Sequence, residues 1–236
     1  MIAIKEIVSP DEILQISVWL ENDYDKKTGT GLFANWKVIE ADIHKGVSLI
    51  ICLDEKPIGF LTYLEYGHLT TIKYVAIDKR FRKSGFARQL VIYFLVQQKT
   101  KGTLIVDLYA SPPEMQSFWK KLGFKDALKS FSAQGPRLYQ QLVTGAKPIK
   151  PPVDGIKGKF VQLWKNDPHY ARKTPADFTW QLDDEDSSGL INPIIAPCLP
   201  DWRIRHVVDG QSVFDQKITK FKSQIYFNDF LIIEQI

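Results

Sequence analysis

The amino-acid sequence predicts an α/β protein, a mixed sheet flanked by helices, followed by a smaller β-rich domain. Three observations carry this. Through the first 145 residues, apolar positions alternate between helical spacing and strand-like runs in the order β-α-α-β-β-β-α-β-α-β-β. At 146–158, three prolines and two glycines interrupt the pattern. Such a stretch sustains neither a helix nor a central strand and reads as a linker. From 159 to 236 the apolar runs are short and strand-like.

The elements follow in order. Residues 2–8 form a short apolar strand. Pro10, Asp11 and Glu12 open a helix with acidic residues in its first turn, and Ile13, Ile16 and Leu20 give its apolar face. After a looser stretch containing Gly29 and Gly31, Trp36, Ile39 and Ile43 mark a second helix. Three strand-like runs follow at 47–53, 58–65 and 69–77, the first two joined by a hairpin at Asp54–Pro57. A helix is expected from Ser84 to about Gln98, with Phe86, Leu90, Val91, Phe94 and Leu95 on one face. Residues 103–109 form a continuous apolar run, as in a strand buried on both faces. Pro113 to Leu122 is a further helix, stopped by Gly123 in a left-handed cap. One or two strands, including 137–143, close the domain.

Composition sets bounds. In 236 residues, 44% apolar and 25% charged content are ordinary for a globular protein with a real core. The net charge of +4 is too small to imply nucleic acid. It resides in the first 145 residues, with 19 basic against 15 acidic side chains; the remainder has 12 of each. Cys52 and Cys198 lie far apart in apolar surroundings, which suggests buried free thiols and a reducing, cytoplasmic setting. No signal peptide is read at the N-terminus, and no apolar run reaches the roughly 18 residues that span a bilayer.

The segment richest in chemical information is 74–91. A strand, Tyr74–Ile77, enters a basic turn, Asp78–Lys83, which enters a helix beginning Ser84, Gly85, Phe86, Ala87. The first turn of a helix has amide donors without intrahelical partners, and the helix dipole adds positive charge there. Such an end binds phosphate or diphosphate. Gly85 and Ala87 permit close approach, and Lys79, Arg80, Arg82, Lys83 and Arg88 surround the spot with positive charge. The same residues would also serve a solvated turn with Ser84 as an ordinary N-cap.

This run resembles motif A of the GNAT acetyltransferase superfamily, an apolar strand followed by Arg/Gln-x-x-Gly-x-Gly/Ala, with Arg82, Gly85 and Ala87 on the defining positions. A second run, FWKKLGF at 118–124, looks like the family's motif B. The resemblance covers residues 1 to about 145. It implies a mixed, mostly antiparallel sheet and acetyl-CoA as co-substrate, with no metal. It places the diphosphate on the amides of Arg82, Lys83, Ser84, Gly85, Phe86 and Ala87, and the pantetheine arm along Tyr74, Val75, Ala76 and Ile77. Trp119 joins this coenzyme-binding set. The strand 69–77 would splay from 103–109, leaving a V-shaped gap for the thioester. A primary amine would attack directly, so that catalysis is positioning, an oxyanion donor and a base.

The sequence departs from the family's pattern at Trp119, where a tyrosine commonly protonates the departing thiolate; an indole N–H is not a usable acid. Pro112 replaces a frequent Asn, and Met115 a small residue. Tyr109 is the candidate substitute hydroxyl. Thr71 stands where some members carry a catalytic Glu, so Glu65 and His68, flanking the preceding turn, are the candidate bases. Glu21, Asp23, Tyr24 and Asp25 fall in the region that shapes the acceptor site, where acids would suit a cationic amine. His44 is expected on the outer face of the second helix.

The C-terminal part, with strand-like runs at 159–164, 178–182, 202–208, 211–218 and 223–234 and a hairpin at Val208–Gln211, resembles no recognised family. Asp183–Asp186 reads as an exposed acidic loop, and His169 and His206 lack metal-ligand spacing. This part would cover the acceptor cleft, pack on a sheet edge or form a homodimer contact. The expected activity is acetyl transfer from acetyl-CoA to a small-molecule or peptide amine, without membrane or nucleic-acid partners. The alternative is a non-catalytic acyl-CoA sensor or scaffold of the same fold.

Overall fold

The computed structural model describes residues 1–132, 135–150, 157–165, 174–182, 192–221, 226–227 and 229–234. The chain divides into two units, Met1–Val143 and Thr144–Ile236.

The first unit contains β1 (Ile2–Lys5), α1 (Pro10–Asn22), α2 (Trp36–His44), β2 (Ser48–Leu53), β3 (Lys56–Tyr66), β4 (Leu69–Ile77), α3 (Phe86–Thr100), β5 (Ile105–Tyr109), α4 (Gln116–Lys121), β6 (Lys125–Ser132) and β7 (Gly135–Gln141). This is the order that the sequence predicts. The seven strands form one sheet, β1-β2-β3-β4-β5-β7-β6. All neighbours are antiparallel except β4 and β5, which run parallel and are linked through α3.

Each helix is where its sequence puts it for a physical reason. Ser9 and Glu12 form a reciprocal capping box at the start of α1: Glu12 N–H donates to Ser9 Oγ at 3.3 Å, and Ser9 N–H donates to Glu12 Oε2 at 2.9 Å. The buried face of α1, Ile13, Ile16, Trp19 and Leu20, joins Ile39 and Ile43 of α2 over Ile50, Cys52 and Phe60 of the sheet. The other sheet face takes α3 through Leu90, Val91, Phe94 and Leu95, with Trp119 of α4 and Phe124 in the same core. The β2–β3 hairpin turns on Asp54 and Glu55, both left-handed at φ 47° and 66°, the backbone twist that suits a two-residue hairpin. Gly123 ends α4 at φ 96°, and Phe124 N–H reaches back to the Trp119 carbonyl at 3.2 Å.

The second unit has two sheets, β12-β11-β8-β9 and β10-β14-β13, built from β8 (Lys159–Trp164), β9 (Phe178–Leu182), β10 (Ile194–Pro197), β11 (Arg203–Val208), β12 (Gln211–Lys217), β13 (Tyr226–Phe227) and β14 (Phe230–Ile233). Val161, Leu163, Trp180 and Ile204 from the first sheet pack on Ile194, Ala196, Leu231 and Ile233 from the second. This is a small sandwich with an ordered core. The β11–β12 turn uses Asp209 and Gly210 at φ 47° and 80°, as its sequence predicts. Within the run 223–234 the described residues include two strands, β13 and β14, and Asp229, just before β14, is left-handed. The start of the proline-rich stretch is hydrogen-bonded within this unit: Ala146 N–H donates to the Pro193 carbonyl and Ile149 N–H to that of Thr179.

Both cysteines are buried free thiols, and burial pushes the Cys198 thiol well above its ordinary range. Asp183–Asp186 and His169 lie outside the described residues. No helix among the described residues is long and apolar enough to cross a membrane, and no group of metal-ligating side chains occurs among them.

Candidate active site

The site grows from one irregularity in the sheet. Strands β4 and β5 pair from Leu69↔Ile105 to Ile72↔Leu108 and then part. From Lys73 to Ile77, β4 has no strand on its β5 side, so alternate main-chain groups face an open fork. On its other edge β4 stays paired with β3, and the register slips between Thr62 and Tyr63, leaving Lys73 as an extra residue. Lys73 is therefore a bulge at the fork. Beyond it, Tyr74 and Ala76 pack their side chains toward α1 and α2, while Val75 and Ile77 pack toward α3. Gly59, opposite Ile77, makes this approach possible: a Cβ there would lie 2.3 Å from Ile77 Cδ1 and 2.7 Å from the Ala76 carbonyl.

The end of β4 runs into an exposed loop, Arg82 to Gly85, at the N-terminus of α3. The helix starts at Phe86, two residues later than the sequence predicts. Lys83 and Gly85 are left-handed, at φ 64° and 83°, and cannot belong to it. Gly85 is the N-cap and offers no side chain to the first-turn amides. Unlike α1, this 15-residue helix therefore presents uncapped N–H donors at Phe86, Ala87 and Arg88. A Cβ at Gly85 would meet nothing within 4 Å, so the approach to these donors is open. The uncapped amides, the open approach and the unpaired edge of β4 fit a diphosphate with an amide-bearing arm.

The surrounding charges are less available than their sequence spacing suggests. Arg80 is folded onto buried Asp78. Burial alone would raise the Asp78 carboxyl, but hydrogen bonds from Arg80 outweigh it and hold the group below its usual range. Lys79 donates to the Asn22 carbonyl at 3.1 Å. Arg82 donates to the Ile77 carbonyl at 2.9 Å and pairs with Asp23. These three cations brace the loop against the strand end and α1. Lys83 and Arg88 form no ion pair among the described residues.

On the sheet face away from α3, polar groups gather around the fork. Thr71 Oγ1 donates to Asp107 Oδ1 at 2.5 Å, and Arg137 on β7 donates to Asp107 Oδ2 from Nε at 2.9 Å and Nη2 at 2.5 Å. Asp107 and Arg137 are buried, at 1% and 2% exposure. Alternation along β5 puts half-buried Tyr109 on the same face, beside Arg137 in the register. Lys73 reaches from the bulge to buried Asp42 on α2, at 2.6 Å.

Residues 44–126 match the family model of the acetyltransferase (GNAT) domain. The first unit has the fold of the GNAT acetyltransferases. Among solved structures, the PaiA N-acetyltransferase from Thermoplasma acidophilum, in complex with coenzyme A, is similar in fold with a TM-score of 0.51 at 14% identity, over 60% of this chain and 99% of that one. The ribosomal-protein-S18-alanine N-acetyltransferase from Escherichia coli gives 0.48 at 13%, over 63% and 99%. No curated relative matches the chain.

Within the first unit, the expected site residues divide. Tyr74 to Ile77, Arg82 to Ala87 and Tyr109 meet around the fork and the α3 terminus. Glu65 and His68 do not. Glu65 pairs with Thr70, whose hydroxyl reaches Gln98 on α3, so Glu65 is on the α3 face, 3.9 Å from Lys101 at the far end of that helix. It stands roughly 10 Å along the strand from Lys73. His68 lies in the hairpin before Leu69, where its carbonyl accepts from Leu104 and Ile105, still farther from the fork. Trp119 is a core residue, edge-to-face with Phe118 and Phe124 at 5.1 and 5.3 Å. Of the acids near α1, Asp23 is held by Arg82, and Asp25 closes its own turn by accepting from Lys27 N–H and Thr28. Those two hydrogen bonds lower its carboxyl.

Spacing in the sequence does not single out Asp107, Arg137, Asp42 or Lys73. The available signal was a charge inside an apolar strand: Asp107 in TLIVDLY and Arg137 at the head of RLYQQLV. A buried charge requires a partner, and the sheet supplies each to the other.

Proposed function

We propose that residues 1–145 form the catalytic domain of an N-acetyltransferase that moves an acetyl group from acetyl-CoA to a primary amine by direct attack. The observation that carries this is the fork beyond Ile72↔Leu108, opening beside the uncapped start of α3. A bound acyl-CoA thioester supplies the activated acyl group. The amides of Phe86, Ala87 and Arg88 and the loop from Arg82 to Gly85 hold the diphosphate, aided by Lys83. The open edge of β4 from Tyr74 to Ile77 aligns the arm. Tyr109, at the mouth of the fork, is the hydroxyl within this chain best placed to donate a proton to a departing thiolate. Its own hydroxyl makes no hydrogen bond among the described residues. The Thermoplasma enzyme of similar fold is in complex with coenzyme A, which supports the same co-substrate here.

The acceptor is a small molecule or peptide amine. Two buried unpaired thiols suit a cytoplasmic setting. The β-rich domain at 159–236, beyond the stretch 146–158, is a second body outside this reading. A second reading, an acyl-CoA sensor, is favoured by the burial of Trp119 and the distance of Glu65 and His68 from the fork. One experiment separates them. Calorimetry with acetyl-CoA is paired with release of free CoA in the presence of spermidine, lysine or a peptide with a free N-terminus. Binding with turnover supports transfer; tight binding without release under any acceptor supports the sensor; no binding removes both.

A further inference from the structure

Among the described residues, Thr71, Asp107 and Arg137 form a connected polar chain outside the diphosphate loop. It crosses three strands, β4, β5 and β7, one rung before the fork. Asp107 is fully buried, and both of its oxygens are occupied: Oδ1 by the Thr71 hydroxyl, Oδ2 by two donors of Arg137. A carboxylate only accepts. The single hydroxyl hydrogen of Thr71 is therefore committed to Asp107, and what Thr71 has left is a pair of oxygen lone pairs. Thr71 is itself only half-buried. Its neighbour across β3 on the same face, Leu64, is exposed, so this part of the sheet is open to an incoming molecule.

From these residues, and resting on the acetyl-transfer reading above, we propose that Thr71 is the group that orients the attacking amine, and that Asp107 and Arg137 are positioning residues acting through it. The geometry selects the chemistry of the acceptor. A hydroxyl whose hydrogen is spent discriminates against groups that only accept and favours N–H donors, as an amine nucleophile is. The ion pair behind it is neutral overall, so the amine is directed by a hydrogen bond and not held as an ammonium by a bare carboxylate. Arg137 fixes the plane of the Asp107 carboxylate with two donors, which fixes the Thr71 rotamer in turn.

The test uses the full chain and four proteins: wild type, Thr71→Val, Thr71→Ser and Asp107→Asn. Acetyl-CoA affinity is measured by calorimetry, folding by thermal midpoint, and amine turnover by CoA release with the acceptors named above. Thr71→Val should keep acetyl-CoA affinity close to wild type and lower the midpoint, because Asp107 Oδ1 loses its donor; assayed well below that midpoint, kcat/KM for the amine falls roughly 10- to 100-fold, the scale of one hydrogen bond to a reacting group. Thr71→Ser should restore most of that loss, and Asp107→Asn should lower kcat/KM with its midpoint as control. Wild-type turnover in Thr71→Val, or a Ser variant no better than Val, overturns the proposal and leaves the acetyl-transfer reading standing. A wild-type protein that releases no CoA with any amine overturns the reading and this proposal together. Should Asp107→Asn not fold, the Val and Ser pair decides alone.

Discussion

Arg82 donates from Nε to the carbonyl of Ile77, five residues earlier, at 2.9 Å. Its guanidinium thereby closes the loop on the end of β4, while its other arm pairs with Asp23 beyond α1. The arginine of this motif is thus a brace for main-chain donors. A lysine has a single charged head and cannot span both partners. Arg82→Lys is expected to weaken coenzyme A binding about tenfold, and the loss should persist at high salt because it is geometric. Lys83→Ala should cost less, and its effect should fade as salt rises, because an exposed charge acting on a ligand is screened. Calorimetric titration at two ionic strengths distinguishes the two behaviours.

Gly85 is constrained by conformation and access together. At φ 83° any other residue sits in a left-handed backbone at a cost of about 1–2 kcal/mol. The space above its Cα is open, which is where a ligand would approach. Gly85→Val is expected to lower the thermal midpoint modestly and abolish measurable coenzyme A binding. Gly85→Ala should keep much of the binding with a similar loss of stability. Binding unchanged in the valine variant would show that the α3 terminus is not the diphosphate site.

The parts of this fold that are legible in the sequence are those governed by local periodicity. Strand 69–77 and the apolar face of α3 follow directly from alternation and helical spacing, since each residue's burial there depends on its own element. The start of α3 was displaced by two residues because Lys83 takes a left-handed conformation that composition does not announce. Glu65 and His68 lie away from the fork for a different reason. Both are near β4 in sequence, but hairpin register carries Glu65 to the opposite face, and His68 lies in the turn at the far end of the strand. Asp107 and Arg137 meet across 30 residues, and such a pairing is fixed only when β5 and β7 are set side by side.

Trp119 should behave as packing. Its indole lies in the core shared by Phe94, Phe124 and Leu138. Truncation to Ala is expected to cost on the order of 3–5 kcal/mol. Trp119→Phe keeps an aromatic in the same place and should lose far less stability, with CoA release within a few-fold of wild type below its melting temperature. Denaturant titration and a turnover assay on the same preparations check this. A large fall in kcat for the phenylalanine variant, with its stability retained, would give the indole a chemical role.

Tyr109 is at the first position beyond the last β4–β5 pair. If its hydroxyl donates to the leaving group, Tyr109→Phe should lower kcat by about 10²-fold or more. Affinity for acetyl-CoA should be unchanged, because the ring remains. The loss should be smaller with a thioester whose leaving thiol is more acidic, since that departure needs less help. Equal losses across thioesters of different leaving-group acidity would reassign Tyr109 to the shape of the fork.

The second unit carries a titratable group in its core. His206 on β11 is 6% exposed, packs 5.4 Å from the ring of Phe214, and has no hydrogen-bond partner on either ring nitrogen. Burial first, and the charge of Lys159 second, hold its imidazole below the ordinary value of 6.5. A histidine lowered in the folded state is neutral there, while the unfolded chain takes up a proton as pH falls past about 6.5. Folding stability is then full above that pH and declines as pH falls toward the folded-state value, by at most about 1.4 kcal/mol per pH unit for one proton. Replacing His206 with Leu removes the titration and keeps an apolar side chain of similar size. The thermal midpoint of the variant relative to wild type should therefore rise as pH is lowered from about 7.5 to about 5, with other carboxylates cancelling in the difference. A difference that stays constant across this range would mean that the imidazole is accommodated in its charged form.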